Sequence, residues 1–336
     1  MSETPIRAPN RSMLIRVIGT LIALVLLVYL LSQQGWEQIR DAIQQIPLWR
    51  IVLAFGLITV SRFVVAARWH VLLRSAGLSI PYRSTLKITY AGLFASNFLP
   101  TTIGGDVVRL AGVVQLGYDA AVCTASLIVD RLIGMAGMLM TLPIGIASIM
   151  STQFSPSQNS PFFQLSMAVP VSSLVKKIWI KTLNFAHRII GALRMWIKKP
   201  RALAASFLLT CIHMLCFFST LYLLLTSLGE DISMITIAGL FSLVYFVTLL
   251  PISINGYGLQ EISMTVAFSS LAGVSLENSL ATALLFRTIV IIASLPGALY
   301  VSKMLSGIGG KHNIHSINQE EKFSIPPHEI RDGTKQ

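Results

Sequence analysis

Charged residues are scarce in this sequence: Asp, Glu, Lys and Arg together make up 12% of the 336 residues, whereas a soluble globular protein has about 25%. Hydrophobic residues make up 54%, which excludes both a single water-soluble domain and a disordered chain. Acidic residues are scarcer than basic ones, 14 against 26, so the net charge is +12. A polytopic membrane protein remains, because each span needs about 20 mostly apolar residues. In such a protein the excess of basic residues is expected in cytoplasmic loops that attract anionic lipid, and it does not indicate nucleic-acid binding.

The sequence also offers little for catalysis or metal binding. Its three cysteines lie in apolar stretches, without the spacing of a disulfide framework or a metal site. His312 and His315 lie in the polar C-terminal tail, and neither they nor the remaining histidines suggest metal ligands. The sequence has no Gly-x-x-x-x-Gly-Lys-Ser/Thr loop for ATP, and no nucleophile–base pair lies near a candidate motif. We therefore expect no enzymatic activity, no catalytic residue, no metal and no cofactor.

Apolar stretches with little or no charge predict the membrane spans. The first, at 17–33, follows Arg7, Arg11 and Arg16; it is predicted to be uncleaved, with a cytoplasmic N-terminus, because a signal peptide has a shorter apolar region. The further predicted spans lie at 49–67, 121–150, 161–176, 202–228 and 279–302. Windows 88–118 and 234–276 are interrupted by Pro and Gly and either cross the membrane or re-enter it. The sequence thus predicts an all-α, polytopic transmembrane helix bundle of about six to eight spans, with two broken or re-entrant segments.

The predicted domain organisation is a single membrane domain with two tails. A cytoplasmic tail at 1–13 precedes the integral membrane domain at 14–305, and a disordered cytoplasmic tail at 306–336 follows it. The membrane domain divides into a first half at 14–175, a basic amphipathic helix at 176–201 and a second half at 202–305. The basic helix contains eight Lys/Arg and no acidic residue, and its apolar residues recur every three or four positions. It is expected to lie on the cytoplasmic leaflet; a polyanion-binding arm is the alternative. A shorter amphipathic segment at 36–43 is expected at the interface.

One motif occurs twice along the chain. The pattern Leu-Pro-x-x-Ile-x-Gly is found at 99–105 and again 151 residues later, at 250–256, and Ala-Gly-Leu-Phe precedes it at 91–94 and at 238–241. Arg83 and Lys87 precede the first copy, whereas Glu230 and Asp231 precede the second. The positive-inside rule therefore predicts that the two copies enter the membrane from opposite sides. Such an arrangement is typical of an inverted repeat in a transporter; chance similarity between Leu- and Gly-rich stretches is the alternative.

The repeated motif is expected to break a membrane helix. Proline removes a backbone donor, and glycine allows non-helical backbone. Backbone groups freed in this way cannot face lipid, so the breaks must face protein or a wet cavity. Helix ends made there present N–H groups to an anion, for which a lipid phosphate is a candidate. The residues expected at the breaks are Asn97, Pro100, Gly104, Gly105, Pro251, Asn255, Gly256 and Gly258.

Six charged residues accompany the two breaks. They are Asp106, Arg109, Asp130, Arg131, Glu261 and Arg287. Because a charge at the centre of the membrane costs about 2.5–3.5 kcal/mol on insertion scales, such residues are candidates for function. We expect Arg131 to pair with Asp106 or Glu261, and Arg287 with Glu261; buried ion pairs that only set helix register are the alternative. Two further arginines, Arg62 and Arg68, are expected to reach the membrane interface.

These stretches resemble the signatures of a known family. The sequence at 97–109, NFLPTTIGGDVVR, is similar to N-x-x-P-x-x-x-G-G-D-x-x-R, and the sequence at 250–261, LPISINGYGLQE, is similar to P-x-x-x-x-G-x-G-x-x-E. Arg68-Trp69 and Asp130-Arg131 match shorter elements of the same family. The family is the lysylphosphatidylglycerol synthase transmembrane region, also called flippase-like integral membrane proteins. The resemblance covers roughly residues 15–305.

The resemblance implies a multi-pass protein of the bacterial inner membrane, with both termini cytoplasmic, that moves a lipid or lipid-linked molecule between leaflets. Synthase activity is not expected, because the residues after 302 leave no room for a soluble synthase domain. One departure is Gln260, where relatives often have arginine, and it is expected to alter headgroup preference. The implied partners are membrane lipids of the anionic phospholipid, aminoacyl-lipid, hopanoid-type or polyprenyl-linked classes. The expected protein partners are a second copy of the chain or a lipid-biosynthesis enzyme.

The main functional hypothesis is a lipid flippase or transporter. Arg109, Arg131 and Arg287 would hold a phosphate-bearing headgroup, while Asp106, Asp130 and Glu261 would neutralise the arginines or contact a substrate amine. The expected substrate-binding set is these six charges together with the eight residues of the two breaks. Two alternatives stay open: a membrane transferase acting on a lipid-linked substrate, and a non-transporting partner in a complex for lipid or envelope biosynthesis.

Overall fold

In the computed structural model, the residues described are 44–97, 99, 104–151, 196–250, 253 and 255–301, with the backbone alone at 148–151. All regular secondary structure in these ranges is helical, as the sequence predicts. The helices are α1 (Leu48–Ser75), α2 (Tyr82–Ser96), α3 (Gly104–Gln115), α4 (Ala120–Ser151), α5 (Pro200–Ser227), α6 (Met234–Thr248), α7 (Leu259–Ala272) and α8 (Leu276–Ile292), followed by a 3₁₀ turn at Leu295–Gly297.

Four helical segments of the described chain are long and apolar enough to cross a membrane. They are Leu48–Ser75, Ala120–Ala147, Pro200–Ser227 and Leu276–Val301, and they correspond to the predicted spans at 49–67, 121–150, 202–228 and 279–302. The bundle of transmembrane helices is therefore confirmed. The predicted spans at 17–33 and 161–176, the segment at 36–43, both tails and most of the basic helix at 176–201 lie outside the described residues, and the domain boundaries stay predictions.

Local signals in the sequence explain where several helices begin. Pro47 precedes α1, and Pro200 is the first residue of α5, where a missing N–H costs nothing. Ser233 caps α6 by accepting a hydrogen bond from the Thr236 N–H at 3.1 Å. Ser275 caps α8 in the same way, through the Asn278 N–H at 3.3 Å. Each cap satisfies a backbone donor that the first turn of a helix leaves free.

The four short helices form two hairpins. α2 and α6 each have 15 residues, α3 has 12 and α7 has 14. At 1.5 Å per residue, none exceeds about 23 Å, which is less than the roughly 30 Å hydrocarbon core. α2 and α3 run antiparallel, because Gly92 lies against Arg109 while Ser96 lies against Gly105. α6 and α7 also pack together. These lengths favour hairpins that re-enter the membrane over helices that cross it.

The two long helices α1 and α5 pack against each other in opposite directions. Arg50 with Ser227 and Ser61 with His213 mark the register along them, and Ser75 at the end of α1 contacts Trp196, just before α5 begins. α1 begins the series span, hairpin, span (α1–α4), and α5 begins the same series again (α5–α8). Because equivalent helices are antiparallel, the second series is inverted relative to the first.

Reciprocal contacts between the two series support the same symmetry. α6 of the second hairpin packs on α4, where Thr141 hydrogen-bonds to Ser242 and Gly145 meets Gly239. α2 of the first hairpin packs on the end of the last span, through Asn97 with Ser294 and Tyr90 with Gly297. Each hairpin therefore packs against the last span of the other series, as a two-fold axis between the two series requires.

The two hairpins enter the bundle from opposite ends. The basic end, which we define by Arg74, Arg83, Lys87 and Lys199, contains the loops at 76–81 and 116–119, joined by Tyr118 hydrogen-bonding to the Ser79 carbonyl oxygen. The acidic end, which we define by Glu230, Asp231 and Glu277, contains the loops at 228–233 and 273–275, joined by Glu230 to Ser275 and Asn278. The opposite entry expected from the repeated motif is thus present in the fold.

Candidate functional site

The first hairpin is tied to the bundle by a buried charge cluster. Asp130 on α4 accepts a 2.7 Å hydrogen bond from Nε of Arg68 on α1. Its other oxygen lies 3.2 and 3.3 Å from the two terminal nitrogens of Arg109 on α3. The Asp130 side chain is 2% exposed, and both arginine side chains are 9% exposed. One carboxylate therefore joins α1, α3 and α4 where water is excluded.

The cluster extends to a more open pair. Asp106, in the first turn of α3, lies 3.2 Å from Arg109 and forms an ion pair with Arg131 on α4. The Arg131 side chain is 38% exposed, so this guanidinium is the accessible one of the cluster. Because Asp130 and Arg131 point to different sides of α4, each finds its own partner, as the helix geometry predicts.

Small residues and an aromatic ring position this cluster. A Cβ added to Gly105 would overlap the Ser96 hydroxyl and lie 2.5 Å from the Gly92 carbonyl oxygen, so α2 and α3 approach closely only because both positions are glycine. The guanidinium of Arg109 lies 4.1 Å from the ring centroid of Trp69, which donates to Ser126 at 3.0 Å. This cation–π contact holds Arg109 in place between its two carboxylates.

The second hairpin has a simpler arrangement. Arg287 on α8 donates to the Gln260 side-chain oxygen at 2.6 Å and to the Asn255 carbonyl oxygen at 3.0 Å. Its Nε lies 3.4 Å from Glu261, and its guanidinium lies 4.3 Å from the ring centroid of Tyr257. Positive φ at Asn255, Gly256 and Gly258, of 50°, 72° and 74°, bends the break so that this carbonyl can reach the arginine.

The two hairpins carry equivalent ion pairs. Asp106 and Glu261 are 155 residues apart, and Arg131 and Arg287 are 156 apart, so each hairpin places a carboxylate beside an arginine of the following span. The expected pairs Arg131–Asp106 and Arg287–Glu261 are both present. The neighbour of Arg287, at the position that Asp130 has in the first series, is Phe286. The second hairpin therefore lacks the charged cluster that ties down the first.

A cavity of about 270 Å³ lies beside the second break. Its polar lining comes from Arg62, His213, Asn255, Gln260 and Arg287 together with Tyr245 and Thr248, and its apolar lining includes Phe217, Phe241 and Phe286. Ser61 and His213 hydrogen-bond at 2.6 Å. The cavity thus lies between α1 and α4 of the first series and α5–α8 of the second, where the two series meet.

The structure corrects the expectation for Arg62 and Arg68. Both were expected to extend to the interface, but they are 6% and 8% exposed, inside the bundle. Arg68 is held by Asp130 and by the Thr210 hydroxyl at 3.2 Å. Snorkelling fails because both residues lie on the face of α1 that packs against the other helices. The available signal was their position in the interior of a long apolar helix, whose other two arginines, Arg50 and Arg74, lie near its ends.

The expected site residues do not form one site. Asp106, Arg109, Asp130 and Arg131 lie together with Gly104 and Gly105 at the first break, whereas Asn255, Gly256, Gly258, Glu261 and Arg287 lie together at the second. Asn97 binds Ser294 at 2.8 Å, and Pro100 and Pro251 are outside the described residues. Sequence reasoning missed Arg62 and His213 as cavity residues. In the described ranges, no group of three or more His, Cys, Asp or Glu is placed to hold a metal ion.

The family comparison agrees with this architecture. The family model for the lysylphosphatidylglycerol synthase TM region matches residues 16–297. No curated protein matches the chain. The match includes both hairpins, all four long apolar helices up to Gly297 and every charged residue of the two breaks. The chain therefore belongs to the family of the lysylphosphatidylglycerol synthase TM region, and it is a multi-pass integral membrane protein linked to lipid handling.

Proposed function

We propose that the protein binds a phosphate-bearing amphiphile and moves its headgroup between the two leaflets of the bacterial inner membrane. The observation that supports this most is the pair of inverted hairpins, each with a carboxylate–arginine pair at its break. In transporters with inverted repeats, the substrate site lies near such broken helices, and alternating access arises when one repeat moves against the other. A protein that only binds lipid at its surface needs neither feature.

The proposed roles follow from exposure and pairing. Arg131 and Arg287 would contact the phosphate, since each forms an ion pair with a carboxylate at its break that the anion can replace. Asp106 and Glu261 would neutralise these arginines while no headgroup is bound. Arg109 was a candidate for phosphate binding, but it is held between two carboxylates and stacked on Trp69. We assign it a positioning role together with Arg68 and Asp130.

The mechanism we propose is transport and not catalysis. The substrate keeps its covalent structure, and its headgroup passes from one ion pair to the other along the protein interior. The positive-inside rule would place the basic end of the bundle in the cytoplasm. Movement would follow a gradient of the lipid or of an ion, with anionic phospholipid the first lipid to test.

A translocation assay tests the proposal. The full chain is reconstituted in liposomes that contain fluorescent phosphatidylglycerol, and dithionite then measures how fast the inner-leaflet label reaches the outside. Wild type is expected to accelerate the exchange above empty liposomes. Arg287→Gln and Asp106→Asn are each expected to slow it at least tenfold, because each removes one member of a break ion pair.

Arg74→Gln is the matched control, because Arg74 is an exposed arginine at the basic end, away from both breaks. Its rate is expected to equal that of wild type. Equal rates in wild type, Arg287→Gln and Asp106→Asn would refute the assigned roles, and a wild-type rate equal to that of empty liposomes would refute transport of this lipid.

A further inference from the structure

We propose that the cavity at the second break is a headgroup site that selects a phosphate without an amine. The inference rests on the proposed function, and it adds the chemical class of the ligand. The cavity holds the guanidiniums of Arg62 and Arg287, and the described residues that line it include no Asp or Glu. The charged groups of its lining are therefore all positive, since Glu261 pairs with Arg287 from outside the lining, whereas a site for a zwitterionic or aminoacylated headgroup needs a carboxylate for the amine.

Arg62 is the residue that most clearly points to a missing anion. It is 6% exposed, and its hydrogen bond to the Val290 carbonyl oxygen is long, at 3.4 Å. Its Nε is buried without a hydrogen-bond partner, and no carboxylate of the described chain forms an ion pair with it. A buried guanidinium in this state is costly unless an anion is supplied, and the cavity beside it has room for one.

Arg287 supplies the second positive group of the cavity lining. Gln260, the Asn255 carbonyl and Tyr257 set its orientation, so its charge is pre-organised before a ligand arrives. The Nε of Arg287 also lacks a hydrogen-bond partner, because Glu261 is 3.4 Å away with poor geometry. Two guanidiniums that line one cavity suit a tetrahedral phosphate, which accepts hydrogen bonds on several sides.

Gln260 determines the sign of the cavity. Its side-chain oxygen is 2.6 Å from Arg287, so a carboxylate there would add a second negative charge beside that arginine and offer an acceptor to an amine. As an amide, it adds no negative charge beside Arg287 beyond that of Glu261, and it provides an N–H₂ donor for the ligand. The aromatic rings of Phe217, Phe241 and Phe286 exclude water around the bound group, which strengthens the discrimination between charges.

Equilibrium binding to the purified full chain in a neutral detergent tests this inference without any transport step. The probes are short-chain phosphatidylglycerol, short-chain phosphatidylethanolamine, glycerol 3-phosphate and inorganic phosphate. Phosphatidylglycerol is expected to bind at least tenfold tighter than phosphatidylethanolamine and than either soluble phosphate. Arg62→Gln is expected to weaken phosphatidylglycerol binding at least tenfold, whereas Arg62→Lys, which keeps the charge, recovers part of the loss.

The specificity variant is Gln260→Glu. It is expected to lower the preference for phosphatidylglycerol over phosphatidylethanolamine at least tenfold, while Arg74→Gln leaves it unchanged. Equal binding of the two lipids to wild type would overturn the charge selection and leave the proposed transport intact. Inorganic phosphate bound as tightly as phosphatidylglycerol would overturn the lipid headgroup as the source of the anion. Absence of binding by every probe, in a chain that elutes as one folded species, would overturn the site and with it the headgroup contacts of the proposed function.

Discussion

Replacing Asp130 by asparagine removes the carboxylate shared by two buried arginines. In the native cluster Asp130 accepts one hydrogen bond from Arg68 and two from Arg109, at 2.7, 3.2 and 3.3 Å. Asparagine keeps one acceptor oxygen but turns an N–H₂ group towards the other guanidinium. Removing one partner of a buried ion pair costs about 3–5 kcal/mol, because the charge left behind stays desolvated. We therefore expect Asp130→Asn to lower the free energy of unfolding by about that amount.

A second substitution makes this expectation sharper. The cluster contains three arginines, Arg68, Arg109 and Arg131, and two aspartates. Asp130→Asn raises its net charge by one unit, and Arg68→Gln lowers it again by one. The double variant is therefore expected to be more stable than Asp130→Asn alone, with an interaction energy of about 1–3 kcal/mol between the two sites.

The assay is unfolding in mixed micelles by titration with SDS, followed by labelling of the buried thiols Cys123 and Cys216 in a Cys211→Ser background. Glu277→Gln is the control, since Glu277 is exposed in the first turn of α8 and its loss is expected to cost less than about 1 kcal/mol. A double variant that is as unstable as the sum of the two single variants would refute the shared ion-pair network.

Two further expectations concern packing. Gly105→Ala is expected to destabilise the protein by about 1–3 kcal/mol in the same SDS titration, because the new Cβ would overlap the Ser96 hydroxyl and force the first hairpin open. Gly56→Ala is the control, because Gly56 lies in α1 with nothing within 4 Å of the new Cβ, and it is expected to be neutral or slightly stabilising. Equal losses of stability in the two variants would argue against close α2–α3 packing. Thr141→Cys with Ser242→Cys, in a background without the native cysteines, is expected to form a disulfide under mild oxidation, since the two native hydroxyls hydrogen-bond to each other. Thr124→Cys with Ser242→Cys is the control pair on the same two helices; cross-linking of both pairs or of neither would contradict the antiparallel register of α4 and α6.

Positions of helices and breaks were largely accessible to sequence reasoning. The four described spans match windows with little or no charge, and the repeated Leu-Pro-x-x-Ile-x-Gly motif lies in sequence between the two helices of each hairpin. The choice between crossing and re-entry remained open, because both place the same residues in the membrane. Helix length and the Gly92–Gly105 contact favour re-entry.

The sequence also indicated two ion pairs of the breaks but misplaced two arginines. Arg131–Asp106 and Arg287–Glu261 could be anticipated, because each charge needs a partner and the repeat relates them. Arg62 and Arg68 were assigned to the interface, since a lone arginine in an apolar run can snorkel if its face of the helix is open. That face is closed by α5, and only the packed structure contains this information.

The sequence by itself therefore determined that this is a helical membrane protein with two broken, oppositely entering segments and a small set of buried charges. Hydropathy, proline, glycine and loop charge are local properties, and each can be seen without knowledge of the neighbours. Tertiary structure alone decided that Asp130 pairs with two arginines, that Arg62 and Arg287 line one cavity, and that the first hairpin is held by a larger charge cluster than the second. These features depend on how helices that are distant in sequence rotate and approach each other. Close contacts at glycines and the antiparallel packing of the helices determine that arrangement.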